Sequence, residues 1–273
     1  MERRNFIHDG LTLSYLDQGG AGVPIIALHA YWMEAGTYAD LAEALAPEWR
    51  VVALDQRGHG HSDHAKDMSW DAFIGDLAAF LDHLGVDKPA ILLGNSLGGT
   101  VAFRYAARNL EKVRVMVIEE SPAEEDSDLG FMRAWAGTYQ SREALAAKIG
   151  ERLAWSVEPS FRQTPEGWIL AFSPNALADA QAGLNGNFWD DWMATDCPVL
   201  VVRGTDSRAV DGAILESMAT RRPNTRLVSF AAGHVVHHDE PEAFATAVRA
   251  FLVGEAPFIF QDGMTIKSTH RQR

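Results

Sequence analysis

The residues best equipped for chemistry stand together at Gly94-Asn95-Ser96-Leu97-Gly98. An apolar run, Ile91-Leu92-Leu93, ends there in a serine hemmed in by glycines, and a helical pattern follows at once. A serine between a strand and a helix sits on a very tight turn. Its hydroxyl stands proud of the sheet, and the next backbone N–H groups open a helix N-terminus. Gly94 and Gly98 are needed because a Cβ at either place would clash across so sharp a bend. This is the G-x-S-x-G nucleophile elbow in the strand-turn-helix context that it requires. A serine hydroxyl is a weak nucleophile near neutral pH and needs a base to take its proton. His234, in Ala232-Gly233-His234, is the leading candidate, in competition with His29, His59, His61, His237 and His238. Loops at the ends of parallel strands are where ligands meet catalytic groups. A histidine after the final strand also fits the chain order serine, acid, histidine. His237 and His238 precede Asp239-Glu240-Pro241 and belong with the start of the last helix.

The elements that must position these groups follow a rhythm. Phe6 to Leu16 alternates apolar and polar residues around Asp9-Gly10, a strong hairpin signal. Val23–Leu28 and Arg50–Asp55 read as buried strands, with a helix from Thr37 to about Pro47 between them. Ser69 caps a helix in which Phe73, Leu77, Phe80, Leu81 and Leu84 recur at helical spacing, and Gly85 stops it. The elbow strand and its helix to about Asn109 come next, then an apolar strand, Val113 to Ile118, ending in Glu119-Glu120. Alternating strands and helices argue for a largely parallel sheet covered on both faces. The rhythm breaks over 122–192, which contains no convincing strand, starts acidic and carries a helical segment from Arg142 to Ala154. It is read as a helical insertion. The rhythm resumes at Cys197 to Gly204, with a helix near Ala213 to Ala219, a strand from Arg226 to Phe230 and a last helix from Pro241 to Leu252. The organisation is thus a core of residues 1–121 and 193–257, an insertion at 122–192 and a short tail at 258–273.

Bulk properties narrow the function. The 273 residues suit one large α/β domain with an insertion. A net charge of −13 opposes binding to phosphate backbones and anionic membranes, so neither nucleic acid nor membrane is an expected partner. The single cysteine, Cys197, excludes an intrachain disulfide. The first residues lack a signal-peptide core and no run approaches transmembrane length, so a cytoplasmic location is expected. There is no cluster with metal-ligand spacing and no phosphate-binding loop, and no metal or cofactor is expected.

The chain resembles the α/β-hydrolases, in the group with a helical cap. The resemblance rests on the Asp9-Gly10 hairpin, Leu28-His29-Ala30-Tyr31-Trp32, Asp55-Gln56-Arg57-Gly58-His59-Gly60-His61-Ser62-Asp63 and the elbow. It extends to Cys197 through Gly204 and to Gly233-His234 followed by Glu240-Pro241-Glu242-Ala243-Phe244. It implies an eight-stranded, mostly parallel sheet with helices on both faces and an inserted helical cap. It also implies an oxyanion hole from the backbone N–H groups of Tyr31 and Leu97. Ala30 departs from the family's usual glycine after the histidine. Relatives place the triad acid either three or four residues beyond the glycine that matches Gly204, where Ser207 and Arg208 stand here and the candidate Asp206 lies only two beyond, or at the end of the sixth strand, where Glu120 stands. The lean is to Glu120. Period-2 alternation points the adjacent Glu119 the other way. The resemblance implies that His29, Asp55 and Arg57 hold loops together; His29 is also counted among the residues around the substrate.

The nucleophile's identity limits the reaction. A haloalkane dehalogenase or epoxide hydrolase needs Asp at position 96, so acyl chemistry remains: ester, lactone or thioester hydrolysis, or carbon–carbon cleavage. Asn95 and the aromatics Trp32, Trp135, Trp155 and Trp189, with Met33, Phe131 and Phe188, are expected to shape a pocket for a small apolar or aromatic substrate. Two other functions compete: a cofactor-independent oxygenase using the Ser–His pair, and a slow or non-catalytic ligand receptor. A monomer or homodimer is expected.

Overall fold

The computed structural model describes residues 1–255; the tail expected at 258–273 lies outside the described residues. The chain opens with β1 (Glu2–His8) and β2 (Leu11–Asp17), joined at Asp9 and Gly10 with φ of 49° and 76°. Two consecutive left-handed residues are what a two-residue hairpin turn needs. Then come β3 (Val23–Leu28), α1 (Ala39–Leu45), β4 (Trp49–Leu54), α2 (Trp70–His83), β5 (Ala90–Asn95), α3 (Leu97–Arg108) and β6 (Val113–Glu119). A long segment follows, containing β7 (Glu124–Glu125), α4 (Arg142–Ile149), α5 (Glu151–Val157), β8 (Phe161–Thr164), β9 (Gly167–Leu170), α6 (Pro174–Leu184), β10 (Gly186–Asn187) and α7 (Trp189–Met193). The chain then returns with β11 (Val199–Gly204), α8 (Gly212–Arg221), β12 (Thr225–Phe230), α9 (Val236–Asp239) and α10 (Pro241–Gly254).

The main sheet has eight strands in the order β1-β2-β4-β3-β5-β6-β11-β12. The pairs β1–β2 and β2–β4 are antiparallel and the remaining pairs parallel. Alternation assigns the faces. Ile25, Val51, Leu93, Val117 and Val202 join Leu41 and Leu45 of α1 and Phe244 and Val248 of α10 in one core. Their neighbours Ile26, Val52, Leu92, Met116 and Val201 join Phe73 and Leu77 of α2, Val101 of α3 and Leu215 of α8 in the other. Two faces buried by near-continuous Ile, Leu and Val runs are the pattern of a parallel sheet.

The segment between β6 and β11 departs from the sequence expectation. It contains short strands: β8 and β9 form a hairpin, and β7 pairs with β10. Pro165 occupies the two-residue turn between β8 and β9, where its missing N–H costs nothing. The helix expected from Arg142 to Ala154 is broken into α4 and α5 at Gly150, whose φ of 94° ends the first helix. This segment is tied to the loop after β3 at several points. Ser160 Oγ donates to the Trp32 carbonyl at 2.8 Å, Trp32 Nε1 donates to Ser156 Oγ at 3.3 Å, and Arg162 pairs with Glu34 at 2.5 Å.

Candidate active site

The elbow is built by close approach. A Cβ on Gly94 would lie 2.4 Å from the Gly98 backbone, and one on Gly98 would lie 2.1 Å from the Leu28 carbonyl oxygen. Glycine therefore lets β5, α3 and β3 meet at one point. Ser96 sits between with φ 52° and ψ −116°, a conformation costly for a non-glycine residue and met mostly at functional sites. Its N–H donates to the Glu119 carbonyl at 2.9 Å, which pins the turn to the end of β6. The Leu97 N–H opens α3 and has no acceptor within its own helix. The Tyr31 N–H, in the loop after β3, likewise donates to no described residue. Tyr31, Ser96, Leu97 and His234 all line one cavity of about 670 Å³.

The two acid candidates are separated by geometry. Glu120 leaves β6 with φ 49° and is almost wholly buried. Its Oε1 accepts the Gly204 N–H at 2.8 Å, and its Oε2 lies 3.2 Å from His234 Nδ1. A carboxylate with one oxygen held by a backbone amide has the other fixed in direction. Asp206 is an exposed residue of the loop after β11; it lines the cavity, and its carboxylate has no partner among the described residues. Ser96 Oγ and His234 are not hydrogen-bonded to each other in this conformation. Such bonds are often long without substrate and tighten when it binds.

A family model described as "Alpha/beta hydrolase family" matches residues 20–247. The chain belongs to the α/β-hydrolase family. Among curated relatives, it is 27% identical over 258 residues to 2-(acetamidomethylene)succinate hydrolase of Mesorhizobium japonicum, covering 89% of this chain and 92% of that one. It is 25% identical over 240 residues to the esterase YbfF of Escherichia coli, covering 84% and 92%. A crystal structure of E-2-(acetamidomethylene)succinate hydrolase superimposes with a TM-score of 0.82 at 25% identity, over 92% of this chain and 99% of that one. Esterase, lipase and hydrolase relatives make this α/β-hydrolase an enzyme. No helix of the described residues is long and apolar enough to cross a membrane.

Of the residues expected around the substrate, Trp32 and Trp155 reach the cavity wall of this hydrolase, with Met33 and Phe131. His29, Asn95, Trp135 and Trp189 do not. His29 is fully buried below it, its Nδ1 donating to the Ala30 carbonyl at 2.7 Å and its Nε2 accepting from the Gln56 N–H at 3.0 Å. Burial holds its pKa below the ordinary histidine value and keeps it neutral. The neighbouring His59 is pushed down to about 3, first by burial and then by His29. Asn95 is buried behind the elbow, donating to the carbonyls of Glu119 and His234 at 3.2 and 3.1 Å. Trp135 is packed edge-on between Trp32 and Phe131, at 5.9 and 5.4 Å. Trp189 faces outward under the Arg221 guanidinium, 3.9 Å above its ring, and its Nε1 donates to Glu124. Aromatic type alone does not distinguish a residue that lines a cavity from one that backs it.

Other wall residues escape a sequence reading because the segment between β6 and β11 and the loop after β11 bring them in. Glu125, in the acidic run that begins that segment, is largely enclosed, and burial raises its carboxyl pKa. It accepts the Ser127 hydroxyl. With Ser127, Ala209 and Val210 it also walls a second cavity of about 400 Å³ beside the first. Arg152 of α5 and Arg208 of the loop after β11 complete the charged lining.

Proposed function

We propose that this hydrolase cleaves an ester or related acyl bond of a small substrate through Ser96, His234 and Glu120. The observation that carries this reading is the Glu120 carboxylate, fixed by the Gly204 amide and 3.2 Å from His234 Nδ1. A carboxylate there holds the proton on Nδ1, so Nε2 is free to act as base, and it stabilises the imidazolium that forms. Ser96 Oγ attacks the acyl carbon as His234 Nε2 takes its proton. The carbonyl oxygen becomes negative against the N–H groups of Tyr31 and Leu97, donors of a kind worth about 3–4 kcal/mol each in a transition state. The bond to the leaving group breaks as His234 returns the proton to it. Water, deprotonated by His234, then attacks the acyl carbon, and as the bond to Ser96 Oγ breaks His234 returns that proton to Ser96. Trp32, Met33, Phe131 and Trp155 offer apolar surface to the acyl or leaving group.

The test is labelling of the folded protein with a fluorophosphonate, together with hydrolysis of p-nitrophenyl esters of graded acyl length. Labelling and turnover that both vanish in Ser96→Ala support the reading. Folded wild-type protein that takes no label and hydrolyses no ester sinks it and favours a receptor.

A further inference from the structure

Arginine in this protein is almost everywhere a clasp. Arg3 holds Asp55, Arg50 holds Asp17, Arg57 holds Asp76 and Arg104 holds Asp191. Each further arginine of the described residues outside the cavity wall makes an ion pair, a hydrogen bond, a ring contact or another electrostatic contact. Two, Arg152 and Arg208, have none among the described residues. Both line the cavity that holds Ser96 and His234, and they reach it from different parts of the chain, one from α5 and the other from the loop after β11.

The acids on the same wall do not use them. Asp128 accepts the Gly130 N–H at 2.7 Å. Asp239 accepts the Gly233 N–H at 2.7 Å and faces His238 at 3.3 Å. Glu125 is held by Ser127 and biased towards its neutral form by burial. Asp206, in the loop that carries Arg208, has no carboxylate partner among the described residues. Arginine is the side chain suited to gripping a carboxylate, because its planar fork donates two parallel hydrogen bonds. A protein of net charge −13 repels anions at long range, so attraction for one must be supplied locally. Trp32, Met33, Leu129 and Leu153 supply apolar wall for the carbon chain of a substrate.

We propose that Arg152 and Arg208 bind a carboxylate on the substrate, so that the hydrolase acts on acyl compounds carrying an acidic group away from the scissile bond. This rests on the reading of Ser96 as nucleophile. The experiment compares mono-p-nitrophenyl glutarate, which is anionic, with p-nitrophenyl butyrate, which is neutral. The wild type should prefer the anionic ester in kcat/KM. Arg152→Gln and Arg208→Gln should each cut that preference by about tenfold to a hundredfold, the worth of one charge-assisted hydrogen bond. Arg208→Lys should restore part of it. A wild type without the preference, or a folded double variant that keeps it, overturns the proposal.

Calorimetric titration of Ser96→Ala with glutarate and with inorganic phosphate separates the two readings. Glutarate bound by Ser96→Ala, and bound more weakly once either arginine is replaced, supports the carboxylate site even if neither ester is turned over. That last result would sink the nucleophile alone. Phosphate bound more tightly than glutarate, or glutarate not bound at all, overturns the carboxylate assignment.

Discussion

Two adjacent glutamates meet two nearby histidines from the two sides of one strand end, and they end in different circumstances. Glu119 accepts the His237 N–H at 2.9 Å and lies 2.7 Å from His237 Nδ1. His237 Nε2 lies 2.7 Å from Thr37 Oγ1, and its ring stacks on Tyr38 at 4.7 Å. The ring is sealed: its side chain is 1% exposed, against 23% for His234. Glu120 makes the looser contact, 3.2 Å, with a histidine whose Nε2 has no partner among the described residues and which borders the cavity. An acid–histidine–hydroxyl chain is thus not enough to identify a catalytic group. The histidine whose second nitrogen is already satisfied is a fastener between α9 and the sheet. The one whose second nitrogen is open can exchange a proton with something that arrives.

The largest effect that would sharpen this contrast is on turnover. Glu120→Gln keeps an acceptor for the Gly204 N–H but can present an amide N–H to His234 Nδ1, which favours the wrong tautomer. The expected loss in kcat is about 10³–10⁴-fold, with the fold retained. Asp206→Asn, the control at the other acid position, should change kcat by less than about threefold. Steady-state kinetics with a p-nitrophenyl ester measures both. Comparable losses at the two positions would mean that Asp206 swings onto His234 during the reaction.

The matching substitution in the sealed pair should act on stability instead. Glu119→Gln leaves one acceptor for two donors, the His237 backbone N–H and its ring N–H, in a site closed to water. A buried group without its partner costs about 1–3 kcal/mol. Urea denaturation should show that loss, while kcat of the folded fraction falls by less than about tenfold. A kcat loss as deep as that of Glu120→Gln, with normal stability, would break the comparison, since it would make the Glu119 pair part of the proton path.

Why the sequence reveals one half of this arrangement and hides the other follows from the range of the forces involved. Gly94 and Gly98 declare the elbow because the requirement is local: two backbones too close for a Cβ. Period-2 alternation along Val113 to Glu119 correctly sends Glu119 and Glu120 apart, since residues 115 and 117 join one core and 116 and 118 the other. The choice between Glu120 and Asp206 is not local. It depends on a left-handed turn at Glu120, which is rare for glutamate, and on the amide of Gly204, 84 residues away. His237 reads only as the start of a helix, though a buried Glu119 requires a donor and a histidine near the last strand could supply it. Beyond β6 the signals weaken further. The hairpin of β8 and β9 is four residues a side, too short for alternation to speak, and whether a tryptophan lines or backs the cavity depends on packing across the whole segment.

The smallest of the expected effects concerns the residue that joins the two pairs. Asn95 Nδ2 donates to the carbonyl of Glu119, from the sealed pair, and to the carbonyl of His234, from the open one. It therefore fixes the loop of the histidine against the strand end that carries both carboxylates, one residue before Ser96. Asn95→Ala removes both hydrogen bonds; the Glu119 carbonyl keeps the Ser96 N–H and the Ser121 hydroxyl, whereas the His234 carbonyl loses its side-chain donor, at a cost of about 1–2 kcal/mol in stability. Because His234 is held at Nδ1 by Glu120 alone once that tether is gone, kcat should fall by about fivefold to tenfold while KM stays within about twofold. A fall in stability with no change in kcat would show that Glu120 by itself orients His234. A fall in kcat as deep as that of Glu120→Gln would show instead that the position of the loop, rather than the identity of the acid, decides which histidine is free to work.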